Sequence, residues 1–327
     1  MTTNSKLPWI EKYRPKEIND ILAHKDIINT INKFIESEML PHLLFYGPPG
    51  TGKTSTILAC ARKMYGEHYA PMIIHLNASD ERGIDVVRCR IKDFATTSSI
   101  FGQKKPKLVI LDEADSMTED AQLALRQIIV KYTSNARFCI ICNYVGKIIP
   151  SLQSRFTKFR FAPLNKEHVL PKIKYIIERE KLDCTDEGIN AIYQLSNGDM
   201  RKYLNILQSV YLSYGVVNLD TVYKITGKPN PGDIHKIINV LLNCSYSECF
   251  EYIEANINEG LSLIDIITYL HDYLSKYPIN NESQCFIYER LANIEFNCSE
   301  NTKDNFQLAG LIGIFILARN LIIKSEN

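Results

Sequence analysis

The segment Gly47-Pro48-Pro49-Gly50-Thr51-Gly52-Lys53-Thr54 carries the clearest chemistry in this chain. It fits GxxxxGK followed by Ser or Thr at every defined position. Glycines let the backbone curl so that its N–H groups face phosphate oxygens. A helix beginning there, from Ser55 onward, adds its positive N-terminus. Lys53 is spaced to reach the outer phosphates, and Thr54 to ligate Mg²⁺. The apolar run His42-Leu43-Leu44-Phe45-Tyr46 opens directly into this loop, so the motif lies between a strand and a helix, as its mechanism requires.

A second group follows a second buried run. Leu108-Val109-Ile110-Leu111 leads into Asp112-Glu113-Ala114-Asp115. Acidic residues at the carboxyl end of a parallel strand stand where ligands bind. Asp112 suits a Mg²⁺ ion, usually through water, and Glu113 suits polarising an attacking water. An acidic pair after a strand can also cap a helix. Asn143 ends a further strand on the same edge, within reach of the water or the terminal phosphate.

These residues need a scaffold, and the sequence supplies one. Strands are expected at His42–Tyr46, Met72–Leu76, Lys107–Leu111, Arg137–Cys142 and Phe159–Phe161. Helical spacing separates them at Ile27–Ile35, Ser55–Tyr65, Asp85–Ala95 and Ala121–Tyr132. Alternation of this kind implies a parallel sheet covered on both faces. Before it, Leu7-Pro8-Trp9 and Tyr13-Arg14-Pro15 suggest an extended, docked segment. After Pro163 only helical periodicity is visible. Lys166–Glu180, Thr185–Ser196 and Asp199–Tyr214 form a small unit, Gly227–Gly232 reads as a linker, and five further helical segments follow it.

Composition excludes several classes. The 327 residues are 45% hydrophobic and 23% charged, which is inconsistent with a mainly disordered chain. A net charge of +1 gives little long-range attraction for nucleic acid, so any DNA contact must come from a local basic face. That favours a subunit sharing DNA with neighbours. Cys139 and Cys142 have metal-like spacing but lie in a buried run without a second pair, so buried thiols are expected. The polar start, Met1–Lys6, does not look like a signal peptide, and Leu308–Ala318 is too short to cross a membrane. A soluble intracellular protein with no membrane partner is expected.

Taken together, Leu7 to Pro15, Leu43 to Ser55, Asn77 to Ile84, Asp112 to Asp115, Asn143, Ser154-Arg155 and Ser196 to Arg201 resemble the AAA+ ATPases of the clamp-loader clade. Within it the chain is similar to eukaryotic replication factor C small subunits. The likeness is dense in motifs to about residue 215 and architectural beyond. It implies an α/β P-loop AAA+ domain over residues 1–162, with a five-stranded parallel sheet between helices. A helical lid over 163–228 and an all-α collar over 229–327 would follow.

The resemblance also implies roles. Ile10, Tyr13, Arg14 and Leu22 would line the adenine pocket. Gly47, Pro48, Pro49, Gly50, Thr51, Gly52, Lys53, Thr54 and Ser55 would cradle the phosphates of ATP with its Mg²⁺. Asn143 and Arg201 would be the first and second sensors. Arg155 would be an arginine finger acting in trans on a neighbour's ATP, where the alternative is a surface salt bridge. Phe156 follows it where the family usually has Cys.

Arg88 and Lys92 lie four apart on one helix, with Arg82 before it. Such a ridge can follow a DNA backbone; a solvated helix face is the alternative. Ile100-Phe101, in a polar stretch, would contact the sliding clamp or else anchor a core. The implied function is the loading of the sliding clamp, proliferating cell nuclear antigen, onto primer–template DNA in the nucleus, within a heteropentamer of replication factor C subunits. A nucleotide-bound structural subunit and another AAA+ remodeller are the competing readings.

Overall fold

The apolar runs form β1 (Leu43–Tyr46), β2 (Ile73–Asn77), β3 (Lys107–Asp112), β4 (Ala136–Cys142) and β5 (Thr157–Arg160). The computed structural model describes residues 7–21, 23–78, 84–96, 105–258, 260–275, 281–300 and 304–326. All five strands run parallel in the order β2-β3-β4-β1-β5. The sheet is buried on both faces, so its central strands show no polar alternation. The period of two instead divides them between two cores. Leu43, Phe45, Leu108, Ile110, Cys139 and Ile141 pack with Ile28, Ile31, Ile57 and Cys60, from helices Lys25–Glu36 and Lys53–Tyr65. Leu44, Val109, Leu111, Phe138 and Ile140 face Ile91, Leu125 and Ile129, from helices Ile84–Thr96 and Glu119–Tyr132. The edge strand β5 carries exposed Lys158 and Arg160, charges that discourage pairing with another chain.

Two compact units divide the chain, residues 1–217 and 218–327. The first adds helices Lys166–Glu180, Asp186–Ser196 and Met200–Tyr214 to the sheet domain. The second packs helices Leu219–Thr226, Pro231–Asn243, Tyr246–Asn258, Leu263–Leu274, Asn281–Ser299 and Asp304–Glu326. Ile237, Ile238, Leu270, Ile287, Leu308 and Phe315 are fully buried in its core. No helix among the described residues is long and apolar enough to cross a membrane.

Several local expectations are corrected. Trp9–Lys12 is a helical turn rather than extended chain; Pro8, with φ −53°, sets its start. The last strand lies at Thr157–Arg160, and Phe161 falls just past its end, fully buried. Two-residue strands Asp183–Cys184 and Val216–Val217 pair in parallel, too short to show periodicity. The helix Leu219–Thr226 is also additional; Asn218 and Thr221 form its capping box. The expected linker is mostly cap. Gly227 closes that helix with φ +64°, and Pro231 opens the next, whose N-cap Asn230 accepts from the Gly232 N–H.

Candidate nucleotide site

The phosphate-type loop joins β1 to helix Lys53–Tyr65, at the carboxyl edge of the sheet. Its glycines are required by geometry. Gly47 has φ +142°, and a Cβ there would lie 2.0 Å from the Phe161 carbonyl oxygen. Gly50 has φ +68°, and its Cβ would lie 1.7 Å from Asp199 Oδ1. The Gly50 carbonyl also accepts the Met200 N–H at 3.2 Å, so the loop is fastened to the start of helix Met200–Tyr214.

Lys53 is buried, and all of its donors are engaged. Its Nζ donates to Gly47 O at 2.7 Å, Pro48 O at 2.9 Å and Asn143 Oδ1 at 3.0 Å. Burial pulls its pKa below the ordinary lysine value; nearby Arg201 adds to this and Asp112 opposes it. Thr54 Oγ1 donates to Asp112 Oδ2 at 2.8 Å. Burial pushes the Asp112 carboxyl up, but hydrogen bonds from His75, Thr54 and the Glu113 N–H outweigh it, leaving the pKa below the usual value. Asp112 is therefore a carboxylate at neutral pH.

Glu113 is exposed and sits in the left-handed region at φ +54°. A bulky residue held there stores of order 1 kcal/mol of strain, a pattern found at active sites. Asn143 is set by Asp115, whose Oδ2 accepts the N–H groups of Asn143 and Tyr144 at 3.3 Å each.

One cavity of about 300 Å³ brings these groups together. It is lined by Ile10, Tyr13 and Arg14, by Pro49 through Ser55, and by Asp112, Glu113 and Asn143. Arg201, with His168 and Lys172, closes it from the helical side. Gly47 and Pro48 do not line it; their carbonyls face Lys53 instead. Leu22 lies outside the described residues, as do Arg82, Ile100, Phe101 and the Arg88 side chain. Lys92 is exposed on helix Ile84–Thr96.

Arg155 is not part of this cavity. It precedes β5, whose first residue Thr157 is in register with Leu43, the first of β1. The loop leaves the opposite end of β1. Arg155 is exposed, and among the described residues its side chain makes no hydrogen bond or ion pair.

The roles of three positions are not legible in the sequence. Gln122 is 1% exposed; its amide donates to Met117 O and Lys147 O and accepts the Ile149 N–H, so it bridges helix Glu119–Tyr132 to the segment between Asn143 and Arg155. Asp115 and His75 act on Asn143 and Asp112 as described. Gln122 and His75 have no sequence signal of their own, and the role of Asp115, although it closes the acidic motif, depends like theirs on what the fold places opposite it. Asp199 was more legible: its Oδ1 accepts the Arg201 and Lys202 N–H groups, as an Asp N-cap should.

Residues 43–164 match the family of ATPases associated with various cellular activities, and residues 229–313 match the replication factor C C-terminal domain. Human replication factor C subunit 5 is 49% identical over 97% of this chain and 94% of its own length. The probable subunit 5 of Dictyostelium discoideum is 51% identical over 96% and 92%. Rice replication factor C subunit 3 is 51% identical over 98% and 90%. Among solved structures, the RuvB Holliday junction branch migration motor of Thermotoga maritima matches with a TM-score of 0.53 at 15% identity, over 79% of this chain and 91% of that one, which speaks for the fold alone. The chain thus belongs to the replication factor C subunit family, and its amino-terminal domain is a nucleotide-binding P-loop ATP hydrolase of the AAA+ class.

Proposed function

We propose that this chain hydrolyses ATP as one subunit of a five-membered clamp loader. That assembly opens a ring-shaped sliding clamp, the proliferating cell nuclear antigen, and releases it closed around primer–template DNA in the nucleus. The observation that carries the reading is the convergence of Lys53, Thr54, Asp112, Glu113 and Asn143 on one cavity, with Arg155 exposed near the opposite edge of the sheet.

ATP would lie with its base against Ile10, Tyr13 and Arg14 and its phosphates over Gly50 to Ser55. Lys53 exchanges its contacts to Gly47 and Pro48 for phosphate oxygens. The site suits Mg²⁺: Thr54 Oγ1 and the ionised Asp112 Oδ2 are hard oxygen donors 2.8 Å apart. When bound, the ion would neutralise charge on the phosphates. Glu113 orients the attacking water and takes its proton. Asn143 and Arg201 report on the terminal phosphate from the sheet and from the helical side. Arg155 serves the ATP of a neighbouring subunit.

Lys92 fits a contact to the DNA backbone, and by family likeness Arg82 and Arg88 join it while Ile100 and Phe101 reach the clamp. Functionally we divide the chain into an ATPase domain over 1–162, a lid over 163–228 and a collar over 229–327. The test is Glu113→Gln in this chain alone within the assembled complex. DNA- and clamp-stimulated hydrolysis should fall by this site's share while nucleotide stays bound. An unchanged rate would assign the chain a scaffold role instead.

A further inference from the structure

The wall of the cavity formed by Ile10, Tyr13 and Arg14 belongs to a short strap, residues 8–15, and the strap is not fastened to the sheet. Among the described residues, its hydrogen bonds to the rest of the unit all go to two helices, Lys166–Glu180 and Met200–Tyr214. The Trp9 N–H donates to Gln208 Oε1 at 3.0 Å, and the Trp9 ring stacks on Tyr211 with centroids 6.0 Å apart. At the other end, Glu180 Oε1 accepts from Lys12 Nζ at 2.5 Å and from the Tyr13 hydroxyl. The Tyr13 ring is held from a third side, edge-on to Tyr175 at 6.4 Å, with the Arg179 guanidinium 5.9 Å from its centre. Glu180 is the single acceptor that fixes both the charged and the aromatic residue of the strap. It is largely shielded, with 18% of its side chain exposed.

This arrangement does more than hold the amino-terminal segment down. Tyr13 lines the cavity, and so do His168, Val169 and Lys172 on helix Lys166–Glu180. The carboxylate at the end of that helix therefore joins two walls of one cavity. Hydrogen bonds to an ionised acceptor are the stronger kind and lose most when the charge is removed. Tyr13 cannot take over the negative charge, because burial and the neighbouring Glu180 both push its pKa up.

We propose that Glu180 is a positioning residue for the nucleotide site: by clamping Lys12 and Tyr13 to the lid it holds the base-side wall closed and sets how long nucleotide remains bound. The inference rests on the reading of the cavity as the ATP site. It concerns retention of nucleotide rather than the chemical step, because Glu180 reaches the cavity only through Tyr13.

The experiment uses the full chain and an ATP analogue fluorescently labelled on its ribose, in stopped flow. Glu180→Ala and Tyr13→Phe should each speed nucleotide dissociation about tenfold, with association nearly unchanged, since affinity differences among variants of one site fall mostly in the dissociation rate. Tyr13→Phe keeps the ring that lines the cavity and loses only the hydroxyl, so it remains informative if Glu180→Ala folds poorly. The double variant should be no worse than Glu180→Ala alone, because both remove one interaction. Nucleotide-free Tyr13→Phe should melt a few degrees below the parent, as the loss of one hydrogen bond to an ionised acceptor requires; faster dissociation is the readout that a merely structural role would not move. In the assembled complex Glu180→Ala, a change at a residue that does not line the cavity, should raise the KM for ATP and leave kcat within twofold.

Dissociation unchanged in both variants, or fully additive effects, would overturn the proposal. Absence of saturable binding by the parent chain would instead overturn the assignment of the cavity, and Lys53→Ala provides the reference for that outcome.

Discussion

Replacing Arg155 by alanine separates folding from catalysis more cleanly than any other change in this chain. Its side chain is exposed and makes no hydrogen bond or ion pair among the described residues. Truncation should therefore shift the chain's own stability by no more than about 0.5 kcal/mol. Nor should it disturb the chain's own ATP site. β1 has four residues, so its first and last lie about 10 Å apart at about 3.3 Å per residue. The loop leaves one end, and Arg155 lies beside the other. A finger supplied to a neighbour is worth roughly 10³- to 10⁵-fold in rate, or about 4–7 kcal/mol of transition-state stabilisation. The packing beside it supports that role. Leu152 and Phe156 on either side are buried, and the Phe156 ring lies 5.6 Å from His42, so the backbone at Arg155 is fixed while its side chain is exposed.

The assay is hydrolysis by an assembled complex in which the catalytic glutamate is removed from every subunit, Glu113 of this chain included, except the neighbour whose ATP Arg155 would face. Arg155→Ala should reduce that rate at least a hundredfold while the isolated chain melts as before and binds nucleotide as before. A rate within threefold of the parent would refute the finger. A melting temperature lowered by several degrees would show that the arginine is structural after all.

Three further outcomes follow from the geometry. Gln122→Ala leaves two carbonyls and one N–H, all partly buried, without their partner, at up to about 1 kcal/mol each, so chemical denaturation should report a loss of about 2–3 kcal/mol. Gly50→Ala places a methyl group against the Asp199 carboxylate at a positive φ; titration with labelled ATP should show affinity at least tenfold weaker. His42 is kept neutral, its pKa lowered to about 4 chiefly by burial and further by Arg137 and Arg155, while its Nδ1 accepts the Phe138 N–H. The unfolded chain takes up that proton first, so the stabilisation is present above about pH 6.5 and is lost as pH falls toward 4. The loss amounts to about 3 kcal/mol, and urea unfolding across that range should show a shallower pH dependence in His42→Gln.

The legibility of these features in the sequence follows from how local their causes are. The loop from Gly47 to Thr54 was readable because phosphate binding needs glycine at particular backbone angles, and the same glycines are strained or crowded in the fold. The sheet was readable because Leu108–Leu111 and Phe138–Cys142 are continuous apolar runs that only a doubly covered strand tolerates. The helical turn at Trp9–Lys12 was not, since prolines on both sides suit extended chain equally well, and the contacts that decide the matter come from Gln208 and Tyr211 on helix Met200–Tyr214. Gln122 and Glu180 are polar residues on ordinary helices, and Asp115 closes the acidic motif without its bond to Asn143 being legible. Their importance comes from partners distant in sequence, Lys147 and Ile149, Asn143, and Tyr13, which no spacing rule anticipates.

The most direct measurement is a structure of the assembled complex with Mg²⁺ and a non-hydrolysable ATP analogue. The proposed site requires the Lys53 ammonium drawn from the Gly47 and Pro48 carbonyls to the outer phosphates, Thr54 and Asp112 about the metal, and a neighbour's site completed by Arg155 of this chain. A triphosphate bound anywhere else, or a loop with Lys53 still on its own carbonyls beside it, would contradict it.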